Sequence, residues 1–314
     1  MDIISIIVPC YNEEESLPFF YKQIVDIAEG MKKVNYELLF INDGSKDNTL
    51  LILKKLSSAN IKVKYISFTR NFGKEAAMLA GLQKASGDYI VIMDADLQHP
   101  VKLLPEMYYS LKNENIDCVC AKRIDREGEG KLRNSLTKYF YNIINKMSEI
   151  EMIDGAGDYR MMSRQMRDSV ISFKEYNRYS KGLFSFVGFE TKMIPYHNIN
   201  RVVGNTKWSF FSLFKYAMNG VISFSTIPLL IASFCGLIFC FLAFVMAIYT
   251  AIKTTIYGNP TSGWTTLVCI ILFIGGLQMF FMGIIGQYIA KIYMEVKHRP
   301  IYIIKETNLE DGFV

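Results

Sequence analysis

Apolar and polar positions alternate in a regular way over about the first 120 residues of the chain. Short apolar runs typical of buried strands are separated by segments in which apolar residues recur with helical spacing. The predicted strands are residues 3–8, 37–41, 63–68, 89–93 and 117–121. The predicted helices are residues 14–31, 47–57, 74–84 and 100–112. This alternation predicts an α/β fold of parallel, Rossmann-like βαβ units that bind ligands at the carboxyl ends of strands.

Beyond residue 121 the pattern becomes less regular. Residues 122–130 combine charges with glycines and are predicted to form a loop. Helical spacing returns at residues 132–147 and 164–171, and residues 189–196 resemble a strand. Residues 207–219 mix aromatic side chains with lysines, which is typical of a helix that lies in a membrane interface. A packed soluble helix is the alternative for that last segment.

Two long segments of the chain, residues 216–252 and 254–290, contain no charged side chain. A hydrocarbon core of about 30 Å is crossed by roughly 20 helical residues. Residues 226–249 and 264–288 are long enough, so they predict two transmembrane helices joined by a turn around Gly258-Asn259-Pro260. A buried hairpin in a soluble core is the alternative, which the length of the two uncharged segments disfavours.

The charges around these segments predict how the chain is oriented in the membrane. Lys253 is the only charged residue between the two segments, whereas basic residues flank the pair on both sides. They are Lys207, Lys215, Lys291, Lys297 and Arg299. Because basic flanks stay in the cytoplasm, both termini are predicted to be cytoplasmic. The N-terminal residues enter a strand pattern at once and lack the features of a signal peptide, which agrees with a cytoplasmic first domain.

Four regions follow from these patterns. Residues 1–206 are the predicted cytoplasmic catalytic domain, and residues 207–225 are the interfacial amphipathic segment. Residues 226–290 hold the two transmembrane helices, and residues 291–314 are a cytoplasmic tail.

The formal net charge of the chain is +5, and it is localised. Residues 178–215 contain six basic side chains and one acidic side chain, Glu190. The basic residues are Arg178, Lys181, Lys192, Arg201, Lys207 and Lys215. Because this stretch precedes the first apolar segment, anionic membrane lipid or a lipid phosphate is a better candidate partner than nucleic acid, with a solvated basic face as the alternative. The 6 cysteines are scattered without a CxxC pair, so neither a zinc site nor a disulfide framework is predicted.

Candidate chemistry begins with Asp94-Ala95-Asp96, which directly follows the predicted strand at residues 89–93. Two carboxylates at a strand end offer hard oxygen ligands to a divalent cation, and such a cation can neutralise a diphosphate. Polar clusters at residues 9–13 and 42–45 follow two other predicted strands and should converge on the same crevice. The chain contains no GxGxxG and no GxxxxGK[ST] motif, which disfavours dinucleotide oxidoreductases and P-loop ATPases.

Two further acids are candidate site residues. Asp43 ends a predicted strand, where its carboxylate could accept a hydrogen bond from a base imide or a ribose hydroxyl. Asp43-Gly44 is also a tight-turn sequence with Asp47 as a helix cap, and both interpretations can hold. Asp158 lies among small residues and is a candidate general base. Because a phosphomonoester acceptor is already largely ionised at pH 7, Asp158 could instead orient the acceptor without taking up its proton.

Such a phosphate acceptor needs cations, and arginines and lysines of the second half of the domain can supply them. For each of these side chains a surface ion pair is the alternative. The candidates are Arg123, Arg126, Arg133, Arg201 and Lys207.

Taken together, these motifs resemble the inverting family 2 glycosyltransferases of the GT-A fold. The nearest resemblance is to the bacterial polyprenyl-phosphate (bactoprenol) glycosyltransferases, which are similar to dolichyl-phosphate mannose synthase, and it extends over the whole chain, including the membrane hairpin. The segments that carry the resemblance are residues 9–14, 42–47, 94–100, 123–129 and 201–208.

The resemblance implies transfer of a sugar, glucose or an N-acetylhexosamine, from a UDP-sugar to undecaprenyl phosphate at the bacterial inner membrane. It further implies that Mg²⁺ or Mn²⁺ binds near Asp94 and Asp96, with Asp96 counted among the catalytic residues, and that Asp158 faces the acceptor. Gln98 would contact the sugar. The residues implied to hold the nucleotide are Pro9, Tyr11, Glu13 and Asp43.

Two departures from the family pattern bear on function. The chain lacks the QxxRW signature of processive members, which favours a single addition. It has Asn205-Thr206-Lys207 where relatives often show a serine before the lysine, and the threonine keeps a hydroxyl. The alternatives are transfer to another lipid, such as diacylglycerol or ceramide, and a non-catalytic flippase or scaffold. A second copy of the chain also stays open as a partner.

Overall fold

The computed structural model describes residues 1–124, 156–197, 225–257 and 263–309. Predictions that fall elsewhere lie outside the described residues. These are the helix at 132–147, the interfacial segment at 207–219, most of the loop at 122–130 and the turn around Gly258.

Eight strands of the described residues form one sheet in the order β7-β5-β6-β4-β1-β2-β3-β8. Strands β4, β1, β2 and β3 run parallel, as predicted, whereas β6 is antiparallel to both β4 and β5, and β8 is antiparallel to β3. The sheet is therefore mixed rather than wholly parallel. The strands are β1 (Asp2–Cys10), β2 (Val34–Asn42), β3 (Val63–Phe68), β4 (Tyr89–Ile92), β5 (Cys118–Arg123), β6 (Ala156–Ser163), β7 (Thr191–Tyr196) and β8 (Ile304–Thr307).

Helices cover both faces of this sheet, because side chains of the buried strands alternate between two apolar layers. Ile4, Ile6 and Val8 of β1 point into one core, whereas Ile7 points into the other. The first core is closed by α1, α2 and α4, and the second by α3, α5 and α6. The helices are α1 (Leu17–Gly30), α2 (Thr49–Ala59), α3 (Lys74–Lys84), α4 (Leu104–Asn113), α5 (Arg164–Ser172), α6 (Ser180–Phe186), α7 (Ile227–Tyr257) and α8 (Trp264–Val296).

Helix α3 lies unusually close to the sheet, and this closeness places its first residue at the strand ends. A Cβ built on Gly81 would lie 2.3 Å from Cγ2 of Ile7, so a larger residue there would push the helix away. The face beside Gly81 carries the small buried residues Ala76, Ala77 and Ala80. The N-terminus of α3, which begins at Lys74, is thereby held at the carboxyl edge of the parallel strands.

The helices α7 and α8 contain two stretches, Ile227–Met246 and Ile270–Val296, that are long and apolar enough to cross a membrane. Large apolar side chains point outward from both helices, with Leu237 67 % exposed and Met279 73 % exposed. The two helices contact each other where the rings of Phe239 and Phe273 lie 6.0 Å apart. An apolar surface of this kind suits a lipid environment.

The last turn of α8 and the segment that follows it contact the N-terminal domain. The Glu295 carboxylate accepts hydrogen bonds from the backbone N–H groups of Tyr176 (3.0 Å) and Asn177 (3.2 Å). The ring of Tyr302 then stacks on Phe68 at 4.9 Å, before β8 pairs with β3. The sheet built mainly by the first 196 residues is therefore completed by a strand from the region that was predicted to be a tail.

At the opposite end of the sheet from the strand-end clusters, Glu37 is buried in a polar network. Its carboxylate accepts hydrogen bonds from the Ser5 hydroxyl, the Ser86 backbone N–H (2.8 Å) and the Lys64 ammonium (2.6 Å). Burial opposes ionisation of Glu37, but these donors outweigh it and hold the pKa below its ordinary value. The network ties β1, β2 and β3 to the turn before β4.

Replacing Glu37 with glutamine is expected to lower the free energy of unfolding by about 2–4 kcal/mol at pH 7, because Lys64 and Ser5 lose a charged acceptor. Since the folded-state pKa is lowered, this stabilisation is present above the unfolded pKa of about 4.3 and is lost as the pH falls through the folded-state pKa. Denaturant unfolding in detergent at several pH values measures the difference. The exposed Glu106→Gln variant is the control, and an equal loss in both variants would contradict the role of the network.

Candidate active site

The predicted strand-end residues meet at one edge of the sheet. Because β4, β1 and β2 are neighbours and run parallel, their carboxyl ends lie side by side. Tyr11 and Glu13 follow β1, Asp43 follows β2, and Asp94 and Asp96 follow β4. The predicted convergence of these residues is present in the structure.

The loops after β1 and β2 are joined by hydrogen bonds. The Asn12 backbone N–H donates to Oγ of Ser45 at 3.0 Å, and the Lys46 N–H donates to Oδ1 of Asn12 at 2.9 Å. The Glu13 N–H donates to Oγ1 of Thr49 at 2.9 Å. Asn12 adopts a left-handed backbone conformation with φ 55°, which asparagine tolerates better than most residues. These contacts form one wall of the site.

Asp43 holds the loop between β3 and α3. Its carboxylate is almost fully buried and accepts hydrogen bonds from the backbone N–H groups of Phe72 (2.6 Å) and Gly73 (2.9 Å). Burial raises its pKa, although the two amides and Arg70 oppose that effect. Gly44 has φ 63°, and a Cβ there would lie 2.3 Å from the backbone of Arg70, so the loop passes directly against it. A contact between Asp43 and a nucleotide remains a proposal.

In the segment after β4, backbone N–H groups donate hydrogen bonds to side chains of the same segment. The Gln98 backbone N–H donates to Oδ1 of Asp96 at 3.1 Å, and Leu97 between them has a left-handed φ of 61°. The Asp94 N–H donates to Nδ1 of His99 at 3.4 Å, and the imidazole stacks on Tyr159 at 5.1 Å. Asp96 and Gln98 are thus held on one tight turn at the strand end.

Asp158 lies on β6, and the sheet register sets it opposite Asp94. Strand β6 pairs antiparallel with β4 up to Ile92↔Arg160, and the same register continued by two residues pairs Asp94 with Asp158. Lys74 bridges the two carboxylates. Its Nζ lies 2.7 Å from Oδ1 of Asp94 and 2.8 Å from Oδ2 of Asp158.

The charges of this cluster stabilise one another. Burial opposes ionisation of Asp158, but Lys74, Lys181 and Arg160 outweigh it and hold its pKa well below the ordinary value. The pKa of Asp94 is also lowered, since Lys74 and His99 outweigh the effect of burial. Burial acts against the charge of Lys74 too, yet the two carboxylates raise its pKa far above the ordinary value. All three groups are therefore charged at neutral pH.

Arg123, at the end of β5, is the predicted phosphate-binding cation that the structure describes. In the sheet it pairs with Tyr196 of β7, whose ring lies edge-on to His99 at 6.3 Å. Burial raises the pKa of Tyr196 to about 12, with Arg123 opposing the rise and Asp94 and Asp96 adding to it. Because β4 and β5 are both antiparallel to β6, they run in the same direction, and Arg123 lies at the same edge of the sheet as Asp94 and Asp96. The other four predicted cations, Arg126, Arg133, Arg201 and Lys207, lie outside the described residues.

Lys74 was not among the predicted site residues. A signal was present, because a lysine in the first turn of a helix is unfavourable beside the positive end of the helix dipole. Lys74 follows the Gly73 cap directly and occupies such a position. A cation placed there suggests acidic partners from elsewhere in the fold.

The carboxylates at this edge suit a divalent cation that is held partly by a ligand. Asp94 and Asp96 supply hard oxygen atoms, and Asp94 already contacts Lys74. Within residues 1–124, 156–197, 225–257 and 263–309, no group of three or more His, Cys, Asp or Glu side chains could hold a metal ion. Mg²⁺ is commonly bound by one or two carboxylates together with substrate phosphates, and these residues fit that arrangement.

Comparison with known proteins gives relatives over nearly the whole chain. The family described as "Glycosyl transferase family 2" matches residues 5–170. The "Prophage bactoprenol glucosyl transferase homolog" of Escherichia coli (strain K12) is 41 % identical over 97 % of this chain and 99 % of its own length. The "SfII prophage-derived bactoprenol glucosyl transferase" of Shigella flexneri is 40 % identical over 97 % of this chain and 98 % of its own. The "Bactoprenol glucosyl transferase" of Shigella phage SfV is 41 % identical over 96 % and 98 %, respectively.

Proposed function

The chain belongs to glycosyltransferase family 2, and from that premise we propose that it transfers one sugar from a UDP-sugar to a polyprenyl phosphate at the membrane surface. Membership confirms the resemblance found in the sequence, and the mixed α/β sheet is of the GT-A type that was predicted. Glucose is the first candidate sugar, because three relatives carry a glucosyl transferase name.

The observation that carries the proposal is the juxtaposition of Asp94 and Asp158 at the carboxyl ends of the parallel strands. One acid belongs to the predicted diphosphate side of the site and the other to the predicted acceptor side. The Lys74 ammonium group contacts both carboxylates. A donor and an acceptor bound to the two sides would meet at this point.

On the donor side, the nucleotide lies against the joined loops after β1 and β2, with the roles of Pro9, Tyr11, Glu13 and Asp43 taken from the family resemblance. Asp94 and Asp96 would hold Mg²⁺ or Mn²⁺, which when bound would neutralise the diphosphate leaving group. Gln98 lies on the turn after Asp96, and its contact with the sugar is taken from the family resemblance.

On the acceptor side, an oxygen of the lipid phosphate attacks the anomeric carbon as the bond to the UDP oxygen breaks, which inverts the configuration of that carbon. The phosphate is already ionised at pH 7 and needs no proton acceptor. Asp158, whose pKa is held well below its ordinary value, stays ionised and orients Lys74 instead of taking up a proton. Arg123, Arg126, Arg133, Arg201 and Lys207 neutralise the acceptor phosphate.

The apolar helices α7 and α8 hold the domain at the bilayer in this proposal. A polyprenyl phosphate is confined to the membrane plane, so a membrane-held enzyme meets a high local concentration of acceptor. Both termini and the catalytic domain lie on the cytoplasmic side of the bacterial inner membrane, because the basic residues flank the apolar segments on that side.

Exchanging Asp158 for asparagine is expected to reduce kcat only about tenfold with a polyprenyl phosphate acceptor, since no proton has to be removed from it. A neutral hydroxyl acceptor, such as diacylglycerol, would instead require a general base, whose loss costs roughly 10²–10⁴-fold. Rates of the variant with each lipid over pH 6–9 measure the difference. A loss beyond about a hundredfold with polyprenyl phosphate would show that Asp158 acts as the base.

A donor screen tests the proposed function itself. Purified full-length protein in detergent is incubated with undecaprenyl phosphate, Mg²⁺ or Mn²⁺, and a panel of UDP-, GDP- and dTDP-sugars. The lipid products are identified by mass spectrometry. The expected product is one hexose on the lipid phosphate from a UDP-sugar. Sugar transfer to diacylglycerol or ceramide alone, or no lipid product from any donor, would overturn the proposal.

A further inference from the structure

The Lys74 ammonium is surrounded by carboxylate oxygens, although the side chain is partly exposed. Its Nζ contacts both oxygens of Asp94, at 2.7 and 2.9 Å, and Oδ2 of Asp158 at 2.8 Å. An ammonium group has three N–H donors, and three oxygen atoms surround it here. Neither carboxylate lies on the helix that carries Lys74, so the contact depends entirely on how α3, β4 and β6 are assembled.

The position of Lys74 is determined by the donor side of the site. The backbone N–H groups of Phe72 and Gly73, immediately before Lys74, are bound by the buried Asp43 carboxylate. Gly73 precedes α3 with φ 99°, and the close approach of α3 to Ile7 anchors the rest of the helix. A chain of direct contacts therefore runs from Asp43 to Lys74 and on to the two acids.

Without Lys74, Asp94 and Asp158 would be two negative charges facing each other across adjacent strands, with Asp96 on the following turn. Such a group would attract a divalent cation by itself, as clustered carboxylates do in all-protein cation sites. With Lys74 in place, the oxygens of Asp94 are already engaged, and an ion must displace the ammonium or find other ligands.

We propose that Lys74 is a positioning residue that makes cation binding depend on the donor. It occupies the place between Asp94 and Asp158, so a divalent ion binds well only when a nucleoside diphosphate supplies additional oxygens. The inference deepens the proposed function and rests on it for the identity of the donor. The expected consequence is that the ion and the nucleotide enter together.

Manganese binding to purified full-length protein in detergent tests this inference, with free Mn²⁺ measured by electron paramagnetic resonance in the absence and presence of UDP. Wild-type protein should bind Mn²⁺ weakly alone and at least about tenfold more tightly with UDP. The Lys74→Met variant, which keeps the apolar length of the side chain, should bind Mn²⁺ alone about tenfold more tightly than wild type and respond less to UDP. Unchanged or weaker binding to Lys74→Met without UDP would overturn the proposal.

Three further variants separate the explanations. Lys102→Met removes an exposed lysine and should leave Mn²⁺ binding unchanged, which controls for the net charge of the domain. Lys74→Arg keeps the cation and should preserve the dependence on UDP. The double variant Lys74→Met with Asp158→Asn should still bind Mn²⁺ more tightly than the wild type without UDP, but by less than Lys74→Met, because one of the facing carboxylates is neutral. The double variant also relieves the repulsion between the acids, so it reports on the proposal even where Lys74→Met alone fails to fold.

Failure of the proposed function is distinguishable from failure of this inference. Manganese binding and its UDP dependence are measured without any sugar transfer. If the donor screen yields no product on polyprenyl phosphate while Lys74→Met still gains affinity for Mn²⁺, the role of Lys74 stands and the assignment of the reaction falls. If transfer to polyprenyl phosphate occurs while Lys74→Met binds Mn²⁺ as the wild type does, the assignment of the reaction stands and the role of Lys74 falls.

Discussion

Replacement of Asp96 with asparagine is expected to lower kcat/KM for sugar transfer by about a thousandfold, because a metal-bridged diphosphate contributes several kcal/mol of transition-state stabilisation. The change is conservative for the fold. Oδ1 of Asp96 accepts a hydrogen bond from the Gln98 backbone N–H, and the amide oxygen of asparagine can accept the same bond. The variant therefore removes the charge of a proposed metal ligand while preserving the hydrogen bond in the turn after β4.

Initial rates of transfer from the UDP-sugar to undecaprenyl phosphate measure this effect, together with Mn²⁺ binding in the presence of UDP. Asp26→Asn, at an exposed position of α1, is the matched control and should retain wild-type rates. Excess chelator should abolish activity of the wild type. Near-normal turnover of Asp96→Asn, or wild-type activity that persists in chelator, would remove the metal from the mechanism.

Deletion of residues 301–314 is expected to unfold the N-terminal domain or to lower its stability by about 3–5 kcal/mol, a large part of the 5–15 kcal/mol typical of a folded protein. The deletion removes β8 and leaves the edge of β3 unpaired. It also removes Tyr302, which stacks on the buried Phe68 and donates a hydrogen bond to Gln83 at 2.6 Å. The exposed edge would in addition favour aggregation.

A pair of neighbouring point variants gives a finer test of the same segment. Tyr302→Ala should lower the free energy of unfolding by about 3 kcal/mol, whereas Ile303→Ala should cost less than about 1 kcal/mol because its side chain is half exposed. Thermal unfolding in detergent and limited proteolysis, with and without UDP, measure both variants and the deletion. Equal stability of the deleted and full-length chains would show that the C-terminal segment only lies against the domain.

Local patterns accounted for most of the parallel part of the sheet. The predicted bounds of β3 and α3 agree with the structure, and the other predicted strands and helices of the N-terminal domain in the described residues differ by up to four residues at their ends. Helices α7 and α8 each extend eight residues beyond the predicted ends at residues 249 and 288. The three polar strand-end clusters were predicted to converge, and they do, because neighbouring parallel strands end at one edge. Short-range periodicity is sufficient for these features.

Strands β6 and β8 and helix α6 were not predicted. The small residues around Asp158 were interpreted only as allowing close approach of the backbone, and no strand was predicted there. Four residues of mixed polarity in β8 carry no period of their own, and the strand exists because β3 offers unpaired backbone groups. In both cases the stabilising partner lies far away along the chain.

The sequence by itself determined the α/β class, the two apolar helices, the family and the acids that follow the predicted strands, because each depends on residue type, spacing or similarity along the chain. Only the tertiary structure decided that Asp158 faces Asp94, that Lys74 joins them, and that the segment after α8 completes the catalytic sheet. The physical reason is that these contacts depend on strand register and on the packing of α3 against β1. Both are settled by the packing of the whole domain, so no local pattern encodes them.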